Sequence, residues 1–467
     1  MLRNLLIVEP KYPTKFPPLG LMKISSYHKQ LGDTVEFVKG FNPELAFEFW
    51  DRIYISTLFT YHWKSTIEDI LAYKNLIHGD ISRIFVGGIM ASLMPEELWY
   101  ATGIKPITGV LNKTGILRDN NVLVIEDMIP DYELFNGKET KYTLLDSYFG
   151  YSTRGCIHKC DFCGVPILEP SFVEYKGLTP YIKKIDDRYG VKQHLVLFDN
   201  NIIASKHFNQ IIKDIIDLGF QKGAELNDRL RHVDFNQGTD ARLLKEWHFK
   251  LLSQIAISPL RIAFDHVRLE KIYVDKIRLA AKYRIKSLSN YILYNFKDTP
   301  QDLWKRLKIN IDLNREYGLK IYSFPMKYIP ITAKDRSFVD EPRWNWYFIR
   351  SVQRIMNVTK GVVMPGEEFF CRAYGESLEE FMKILYMPEE ILMKRGRMPG
   401  SEEITWFNKF NKLTGNERNE LLAILCDNRT RNKFRKAVAQ TKNTKLKNLL
   451  EMYLPKAQEN GTAALFL

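Results

Sequence analysis

The stretch YSTRGCIHKCDFCGVPILE, Tyr151 to Glu169, carries three of the five cysteines in this chain of 467 residues. Cys156, Cys160 and Cys163 have a C-x3-C-x2-C spacing. Thiolates are soft ligands that suit iron–sulfur clusters and zinc, and short spacings let one loop surround one metal centre. Three cysteines on one loop leave one corner of a four-iron cluster without a protein thiolate. A small molecule can then be the ligand of that iron.

A zinc site formed by the three cysteines and His158, or a set of free thiols, is the alternative interpretation of this stretch. Zinc motifs usually combine C-x2-C with a second, distant pair of ligands. The other two cysteines, Cys371 and Cys426, are single and far apart in the sequence. The spacing therefore favours an iron–sulfur cluster. We expect Cys371 and Cys426 to be small buried apolar side chains.

The cysteine spacing, with the aromatic Phe162 directly before Cys163, resembles the signature of the radical S-adenosylmethionine (radical SAM) superfamily. In that family the open iron of a [4Fe-4S] cluster chelates the amino and carboxylate groups of S-adenosylmethionine (SAM). The reduced cluster cleaves SAM to methionine and a 5′-deoxyadenosyl radical, which abstracts hydrogen from a substrate. The resemblance implies this chemistry, with Cys156, Cys160 and Cys163 as metal ligands. It also implies an electron donor such as flavodoxin or ferredoxin.

The composition is that of a soluble globular protein, with 45% hydrophobic and 26% charged residues. The length suffices for two or three domains. The sequence has no apolar run of membrane-spanning length, and the N-terminal apolar run is too short for a signal peptide. Because the cysteines are few and clustered, we expect a reducing, cytoplasmic location and no membrane partner.

The formal net charge of +13 suits a polyanionic partner such as nucleic acid, or an acidic small substrate. A solvated basic surface explains the same charge. The last forty residues are notably basic, but they contain no nucleic-acid-binding motif that we recognise. The basic residues there are Arg429, Arg431, Lys433, Arg435, Lys436, Lys442, Lys445 and Lys447.

Residues 1–125 show apolar strands that alternate with helices, which predicts a Rossmann-like, doubly wound parallel sheet. Ligands of such sheets bind at the carboxyl ends of the strands. The sequence contains no G-x-G-x-x-G fingerprint. The predicted strands are Asn4–Glu9, Asp33–Val38, Asp51–Leu58 and Arg83–Val86, and the predicted helices are Leu21–Gly32 and Thr66–Leu76.

Four short elements of this first part resemble the cobalamin-binding-type domain that precedes many radical SAM domains. They are PPLGL at Pro17–Leu21, Ser56–Leu58, the pair Gly87 and Gly88, and MPEE at Met94–Glu97. The resemblance implies that the S-x-L and G-G elements line a pocket for the nucleotide tail of the corrin. The D-x-H-x-x-G loop of other cobalamin proteins is absent, although some radical SAM members bind cobalamin without it. The glycines alternatively serve only to turn the chain tightly.

A proline-containing linker at 126–150 precedes a second run of alternating strands and helices at 151–335. Six strands, each ending in polar residues, resemble the (β/α)6 partial TIM barrel of radical SAM enzymes, in which the site lies at the carboxyl ends of the strands. An ordinary α/β barrel would show the same alternation, but not a cysteine triad directly after the first strand. The predicted strands are Tyr151–Thr153, His194–Phe198, Val233–Asn236, Arg261–Phe264, Tyr291–Tyr294 and Lys320–Phe324. The predicted helices are Thr179–Tyr189, Lys206–Leu218, Ala241–Gln254, Glu270–Tyr283 and Pro300–Tyr317.

The resemblance implies roles for residues at the ends of these strands. The first tip after the cysteine loop holds the SAM amino group in the family, often through a glycine–glycine–acid motif. Here that tip contains Asp199 and Asn200 and has no glycines. Gln237, Asp240 and Arg242 at the next tip could reach ribose hydroxyls or the SAM carboxylate, for which an arginine offers a bidentate fork.

Later tips supply the remaining candidates. The resemblance places Asn295 near adenine and the backbone around Phe162 at the adenine amino edge. Lys327 and Tyr328 at the last tip are candidates for substrate contact. Arg242 could equally be a surface helix residue, and Lys327 a salt-bridged residue of the rim.

Residues 336–467 are predicted to form a helical, basic C-terminal region. Taken together, the sequence predicts a radical SAM enzyme that modifies an unactivated carbon, with the charge slightly favouring a nucleic acid or nucleotide substrate. Cobalamin-dependent methylation is the alternative within the same class. A non-catalytic, nucleic-acid-binding protein with a structural cysteine–metal site is the alternative from another class. The sequence has no second cysteine cluster, which counts against the radical thiolating enzymes.

Overall fold

The computed structural model of the protein describes residues 2–120, 122–139, 142–396 and 398–455. The chain forms two compact units. Unit 1 comprises the described residues of Met1–Arg261, Lys282–Ile285 and Ile329–Phe338, and unit 2 comprises those of Ile262–Ala281, Lys286–Tyr328 and Val339–Leu467. The four-part division of the sequence stays a prediction.

The first part of unit 1 is a four-stranded parallel sheet with helices, as the sequence predicts. The strand order is β2-β1-β3-β4, with every neighbouring pair parallel. This is the beginning of the flavodoxin-like order, in which the chain changes direction between β1 and β3 and leaves a crevice at their carboxyl ends. The elements are β1 (Asn4–Glu9), α1 (Leu19–Gln30), β2 (Thr34–Lys39), β3 (Arg52–Thr57), α2 (Trp63–Leu76), β4 (Ile84–Gly88), α3 (Ile89–Leu93) and α4 (Pro95–Thr102).

Buried apolar strands hold this sheet together. Leu5 to Val8 of β1 are wholly buried, and Leu6 and Val8 share a core cluster with Ile53 and Val86. Gly88 ends β4 with a φ of +103°, where a Cβ atom would lie 2.2 Å from the backbone oxygen of Thr57. Only glycine fits there, so the local packing explains this glycine without a ligand.

The second part of unit 1 contains another parallel sheet, β5-β6-β9. A small antiparallel hairpin, β7-β8, lies between α7 and β9 in the chain and was not predicted. The elements are β5 (Ser147–Gly150), α5 (Val165–Leu168), α6 (Leu178–Tyr189), β6 (His194–Leu197), α7 (Phe208–Asp217), β7 (Glu225–Leu226), β8 (Arg229–Leu230), β9 (Val233–Phe235), α8 (Glu246–Leu252) and β10 (Leu260–Arg261).

Three predicted boundaries in this part were wrong. The strand before the cysteines ends at Gly150 rather than Thr153, because the next amides donate to the Asp199 side chain instead of a neighbouring strand. The helix predicted from Ala241 begins at Glu246, since the preceding residues form turns on Asp240. The strand predicted at 261–264 is assigned only at Leu260–Arg261.

Unit 2 has two parallel strands, β11 and β12, followed by a set of helices. The predicted helical character of the C-terminal region is confirmed. The elements are α9 (Glu270–Lys282), β11 (Ser287–Tyr294), α10 (Pro300–Tyr317), β12 (Lys320–Lys327), α11 (Trp346–Val358), α12 (Glu367–Tyr374), α13 (Leu378–Ile384), α14 (Glu389–Lys394), α15 (Ser401–Phe410), α16 (Gly415–Asp427), α17 (Arg431–Gln440) and α18 (Thr444–Leu450).

One apolar core joins the strands and helices of unit 2, and its largest members include Trp344, Trp406 and Phe370. The basic helices α17 and α18 bury Phe434, Val438 and neighbouring leucines in this core. Most of their lysines and arginines are exposed, which is the pattern of an amphipathic helix at a surface. Within the described residues, no helix combines the length and the apolar character needed to cross a membrane.

The predicted α/β class with parallel sheets is therefore confirmed. Each unit contributes parallel strands, namely β5, β6 and β9 in unit 1 and β11 and β12 in unit 2. Their closure into a six-stranded partial barrel stays a prediction.

Candidate metal centre

A closed loop of residues 154–173, here called the cysteine loop, follows β5. Its ends are joined by two backbone hydrogen bonds, from Arg154 N to Val173 O (3.1 Å) and from Val173 N to Arg154 O (2.9 Å). The carboxylate of Glu169 lies 3.0 Å from Arg154 Nη2 and also accepts a hydrogen bond from Gly155 N (2.6 Å). These contacts fix the loop at both ends, so its thiols are held on a structured frame.

Gly155 is required by the shape of this loop. Its φ is +73°, and a Cβ atom would lie 2.3 Å from the backbone oxygen of Ser171. A side chain at this position would push the two arms of the loop apart. The glycine directly before Cys156 therefore has a structural role in bringing the cysteine arm against the returning arm.

The three thiols are half-buried, and that of Cys156 receives hydrogen bonds that suit a thiolate. His158 N and Asn201 Nδ2 each donate to Cys156 Sγ at 3.4 Å. The backbone forms a turn between the other two cysteines, where Cys163 N donates to Cys160 O (3.0 Å). N–H groups directed at sulfur stabilise a thiolate and adjust the reduction potential of a cluster bound to it. The soft donor set and its hydrogen bonds fit an iron–sulfur cluster.

The zinc alternative needs His158 as a fourth ligand. Its Nε2 atom lies 3.0 Å from Asp240 Oδ2, a position that pairs the imidazole with a carboxylate rather than with the thiols. In the part of the chain that the structure describes, no three His, Cys, Asp or Glu side chains are grouped to hold a single metal ion.

Asp199, predicted to bind SAM, lies at the tip of β6 and holds the two residues that precede the cysteine loop. Its Oδ1 atom accepts hydrogen bonds from the backbone amides and the hydroxyls of Ser152 and Thr153. The side chain is buried, and burial raises the pKa of this carboxyl although the four donors act to lower it. These contacts give Asp199 a structural task, and SAM binding by Asp199 stays a prediction.

Asn201, two residues further along, is the polar residue at this tip that the sequence did not single out. Its side chain donates from Nδ2 to Cys156 Sγ, while its Oδ1 atom is buried and has no hydrogen-bond partner among the described residues. A buried acceptor without a donor is costly unless a ligand supplies one. Asn200, the predicted neighbour, is half-buried. The sequence alone does not distinguish the two asparagines, because only the folded turn shows which side chain faces Cys156.

Asp240 and Arg242 lie just beyond the tip of β9 and form a fork-shaped ion pair. Arg242 Nε and Nη2 donate to the two carboxylate oxygens at 2.9 and 2.7 Å, and Arg242 N donates to Oδ1 at 2.9 Å. Burial acts to raise the pKa of Asp240, but the Arg242 hydrogen bonds and charge hold it below its usual value. The hydrogen bonds to Asp240 raise the pKa of Arg242, and the thiol of Cys160 adds to that effect.

This tip therefore brings the guanidinium group of Arg242 to the thiol of Cys160, and binding of SAM by Gln237, Asp240 and Arg242 stays a prediction. The group is 42% exposed, so it can exchange part of its contact with Asp240 for a ligand. Gln237 is exposed and donates to Asn236 Oδ1 (3.2 Å). Phe162 is half-buried beside Cys163. The structure brings Cys156, Asn201, His158 and Asp240 together by direct contact.

The candidates of unit 2 form a cluster of their own at the ends of β11 and β12. Asn295 is fully buried, with Nδ2 donating to Tyr328 O (3.2 Å) and Oδ1 accepting from Asp340 N (2.8 Å). The Tyr328 ring lies 4.5 Å from that of Phe296, and Lys327 is the half-buried last residue of β12. Both contacts of Asn295 are structural. Adenine contact by Asn295 and substrate contact by Lys327 and Tyr328 stay predictions.

Aromatic side chains gather at the carboxyl ends of β1 and β3. The His62 ring stacks on that of Tyr12 (6.0 Å), and the Phe59 ring stacks on that of Tyr61 (5.0 Å). The guanidinium of Arg336 lies 4.2 Å from the centre of the Tyr61 ring. Burial and the nearby Arg336 charge lower the pKa of His62. A half-exposed aromatic face therefore lies where the sheet order places a ligand crevice.

The comparisons with known proteins bear on the fold. No family model and no curated protein matches the chain. It is similar to the radical S-adenosylmethionine methyltransferase TsrM from Kitasatospora setae, solved with cobalamin and a [4Fe-4S] cluster bound. The TM-score is 0.50 at 14% identity, over 71% of this chain and 77% of that one.

Two further structures are similar. TsrM with tryptophan substrate and a SAM analogue (aza-SAM) gives a TM-score of 0.50 at 14% identity, over 67% of this chain and 71% of that one. The structure of the cobalamin-dependent SAM radical enzyme OxsB with aqua-cobalamin bound gives a TM-score of 0.47 at 15% identity, over 97% of this chain and 84% of that one. The two TsrM structures show that the chain shares its fold with a radical SAM methyltransferase, and they confirm at the level of fold the resemblance that the cysteine loop suggests.

Proposed function

We propose that this protein is a radical SAM enzyme that binds a [4Fe-4S] cluster on its cysteine loop and cleaves SAM reductively. One observation carries the proposal. Three thiols lie on a loop that is closed directly after β5, Cys156 accepts two N–H hydrogen bonds, and the chain shares its fold with a radical SAM methyltransferase. A cluster bound there supplies one electron and a ligand position for SAM.

The residues of the chain divide the work. Cys156, Cys160 and Cys163 are the ligands of the cluster. Asn201 Oδ1, the buried acceptor without a partner, would accept a hydrogen bond from the SAM amino group, and the Arg242 fork would bind the SAM carboxylate. Asp199 would hold the chain segment that leads into the loop, through its hydrogen bonds to Ser152 and Thr153.

The test is anaerobic reconstitution with iron and sulfide, followed by incubation with dithionite and SAM. We expect about four irons per chain, thiolate-to-iron absorbance, and formation of 5′-deoxyadenosine. Cys160→Ala should abolish both the iron and the product. Cys371→Ala is the matched control, because Cys371 is also a half-buried free cysteine, but on α12.

The proposal fails if the wild-type protein takes up one zinc and no iron, or if SAM is untouched while a cluster is present. The first result would support the structural cysteine–metal alternative. The second would assign the cluster a role other than SAM cleavage.

Cobalamin-dependent methyl transfer is the second candidate function. The observation that favours it is the β2-β1-β3-β4 sheet, with an aromatic face at the carboxyl ends of β1 and β3, in a chain that shares its fold with the cobalamin-bound TsrM structure. Aromatic rings offer a flat apolar surface to a macrocycle. Titration with hydroxocobalamin should give a saturable change in the corrin spectrum, weakened in Tyr61→Ala. A spectrum identical to that of free cobalamin would leave hydrogen abstraction without cobalamin as the function.

The substrate class is proposed from charge alone. The net charge of +13 slightly favours a nucleic acid or nucleotide, and the exposed basic faces of α17 and α18 would be its contact surface. Electron delivery by a flavodoxin or ferredoxin is proposed with it. Crosslinking of the intact protein to RNA, compared with a Lys433→Glu and Arg435→Glu double variant, tests the surface directly.

A further inference from the structure

A cavity of about 410 Å³ lies among the helices of unit 2. Its walls are largely apolar and come from α11, α12 and α14. They include Ile355, Val358, Phe369 and Leu392. Two arginines, Arg372 and Arg395, also line it. The cavity is thus an apolar chamber with concentrated positive charge, and none of its residues belongs to the candidate metal centre.

Arg395 is the unusual member of this cavity. Its side chain is only 6% exposed, and its Nε and Nη1 atoms have no hydrogen-bond partner among the described residues. A buried guanidinium normally uses its five donors in ion pairs or hydrogen bonds, because leaving a buried charge unpaired is costly. Burial lowers the pKa of Arg395 to about 10. The group is thus still charged at neutral pH.

The nearest carboxylate, that of Glu403 on α15, already accepts hydrogen bonds from Arg372. The fork of Arg372 donates to both of its oxygens, with 2.6 Å from Nη1 to Oε1, while Arg372 Nε donates to Gly396 O. Arg395 Nε lies 3.1 Å from Glu403 Oε1 but not at an angle that makes a hydrogen bond. Two guanidinium groups therefore share one buried carboxylate.

Two other acidic residues, Glu380 and Glu368, lie near Arg395 or the cavity. The charge of Glu380 acts on Arg395, but the Oε2 atom of Glu380 accepts a hydrogen bond from Glu376 N (2.8 Å). Glu368 is the acidic residue of the cavity lining, and it is exposed. Among the described residues, Glu403 is the carboxylate that lies within ion-pair distance of both Arg372 and Arg395.

We propose that this cavity binds an oxyanion with an apolar body, such as an alkyl carboxylate or alkyl phosphate, with Arg395 as the group that binds the anion. The Nη1 donor of Arg395, which has no hydrogen-bond partner among the described residues, would make a charge-assisted hydrogen bond to a carboxylate or phosphate oxygen. The apolar walls would cover the remainder of the ligand. The site does not depend on the proposed SAM chemistry, and it can be tested in protein that carries no cluster.

The test uses the full-length protein and isothermal titration calorimetry with octanoate and octyl phosphate. We expect saturable binding of at least one of them, and the preferred one distinguishes a carboxylate ligand from a phosphate ligand. Octanamide, which has the same apolar body but no charge, should bind at least about tenfold more weakly, because it cannot form charge-assisted hydrogen bonds.

The variant Arg395→Met should weaken octanoate or octyl phosphate binding at least about tenfold without lowering the Tm. Glu403 keeps both hydrogen bonds from Arg372 in this variant, so its buried carboxylate is not left without a partner. The matched control is Arg354→Met, which removes a largely buried arginine of α11 that is hydrogen-bonded to Glu389 (2.6 Å). Octanoate binding should be unchanged in this control.

The proposal is overturned if octanamide binds as tightly as octanoate, which would make the cavity merely apolar. It is also overturned if Arg395→Met keeps full anion binding, or if neither anion binds the wild-type protein. Because the octanoate and octanamide comparison uses wild-type protein, the test stands even if Arg395→Met does not fold. Loss of octanoate binding to Arg354→Met as well would assign the effect to the fold of unit 2 rather than to Arg395.

Discussion

The tips of β6 and β9 carry the same kind of residue and use it differently. At the β6 tip, Asp199 is buried, and its carboxylate accepts four hydrogen bonds from Ser152 and Thr153. At the β9 tip, Asp240 is partly exposed and forms an ion pair with Arg242 and a close contact with His158. Both tips reach the cysteine loop. Asp199 at the β6 tip holds the two residues that lead into the loop, and Arg242 at the β9 tip brings charge to the thiol of Cys160.

The difference shows that a polar residue after a parallel strand is not by itself a ligand residue. A carboxylate whose acceptor sites are filled by protein donors has little left for a substrate. In the ion pair of Asp240 with the half-exposed Arg242, the guanidinium group can exchange part of its contact with the carboxylate for a ligand. We therefore expect variants of Asp199 to affect the fold around the loop, and variants of Arg242 to affect ligand binding.

The largest effect is expected for Asp199→Ala. It leaves buried donors of Ser152 and Thr153 without an acceptor, and such groups cost about 1–3 kcal/mol each. We expect the free energy of unfolding to fall by about 3 kcal/mol, and the reconstituted iron content to fall with it. Urea unfolding and iron analysis measure both. Asp240→Ala should keep the iron content, and an Asp199→Ala protein with normal stability and iron would contradict the comparison.

A smaller and more selective effect is expected for Arg242→Met. Removing the fork should weaken SAM binding about tenfold to a hundredfold, which corresponds to about 2 kcal/mol for a charge-assisted pair. The iron content should be unchanged, since Arg242 is not a ligand of the metal. Equilibrium dialysis with labelled SAM measures the affinity. Arg188→Met, an exposed arginine at the end of α6, is the control. Equal affinity in both variants would remove Arg242 from the SAM site.

The pH dependence of stability should differ between the wild-type protein and the Asp240→Asn variant. Arg242 holds the pKa of Asp240 below the usual value of about 3.9, so the folded state binds this proton less readily than the unfolded state does. Asp240 then contributes stability above about pH 5, which is lost as the pH falls through the folded pKa. Wild type should be more stable than Asp240→Asn at pH 6, and the difference should shrink toward pH 3. A constant difference across that range would contradict this.

The smallest effect is expected at the two asparagines of the β6 tip. Asn201→Leu removes the N–H donor to Cys156 Sγ, so the reduction potential of a bound cluster should become more negative. Asn200→Leu should leave that potential unchanged. Anaerobic redox titration compares the two variants. An equal shift in both would show that the tip acts through its general polarity rather than through the Asn201 hydrogen bond.

The sequence predicted the parts of the fold that depend on local pattern. The strand predicted at Asn4–Glu9 and the helix predicted at Pro300–Tyr317 match β1 and α10 residue for residue. The first is a buried parallel strand, and the second has Thr299 and Asp302 as a capping box with Gly318 in the left-handed conformation after its end. Such signals are carried by neighbouring residues and need no tertiary information.

What the sequence missed depends on contacts between distant residues. Tyr151–Thr153 was predicted as a strand, but Asp199, 46 residues from Thr153, takes the amides that a strand would use. Asn201 was passed over in favour of Asn200, because only the folded turn shows which side chain faces Cys156. Arg395 gave no signal in the sequence, since only the folded structure shows that Arg372 takes both oxygens of Glu403 and that Nε and Nη1 of Arg395 have no hydrogen-bond partner among the described residues.

The central claim is that the cysteine loop holds a cluster with one iron open to SAM. The most direct measurement is the electron paramagnetic resonance spectrum of the reduced, reconstituted protein, recorded with and without SAM. If SAM is a ligand of the open iron, the g values should change when SAM is added, and the change should weaken in Arg242→Met. A spectrum that SAM leaves unaltered at saturating concentration would contradict the claim.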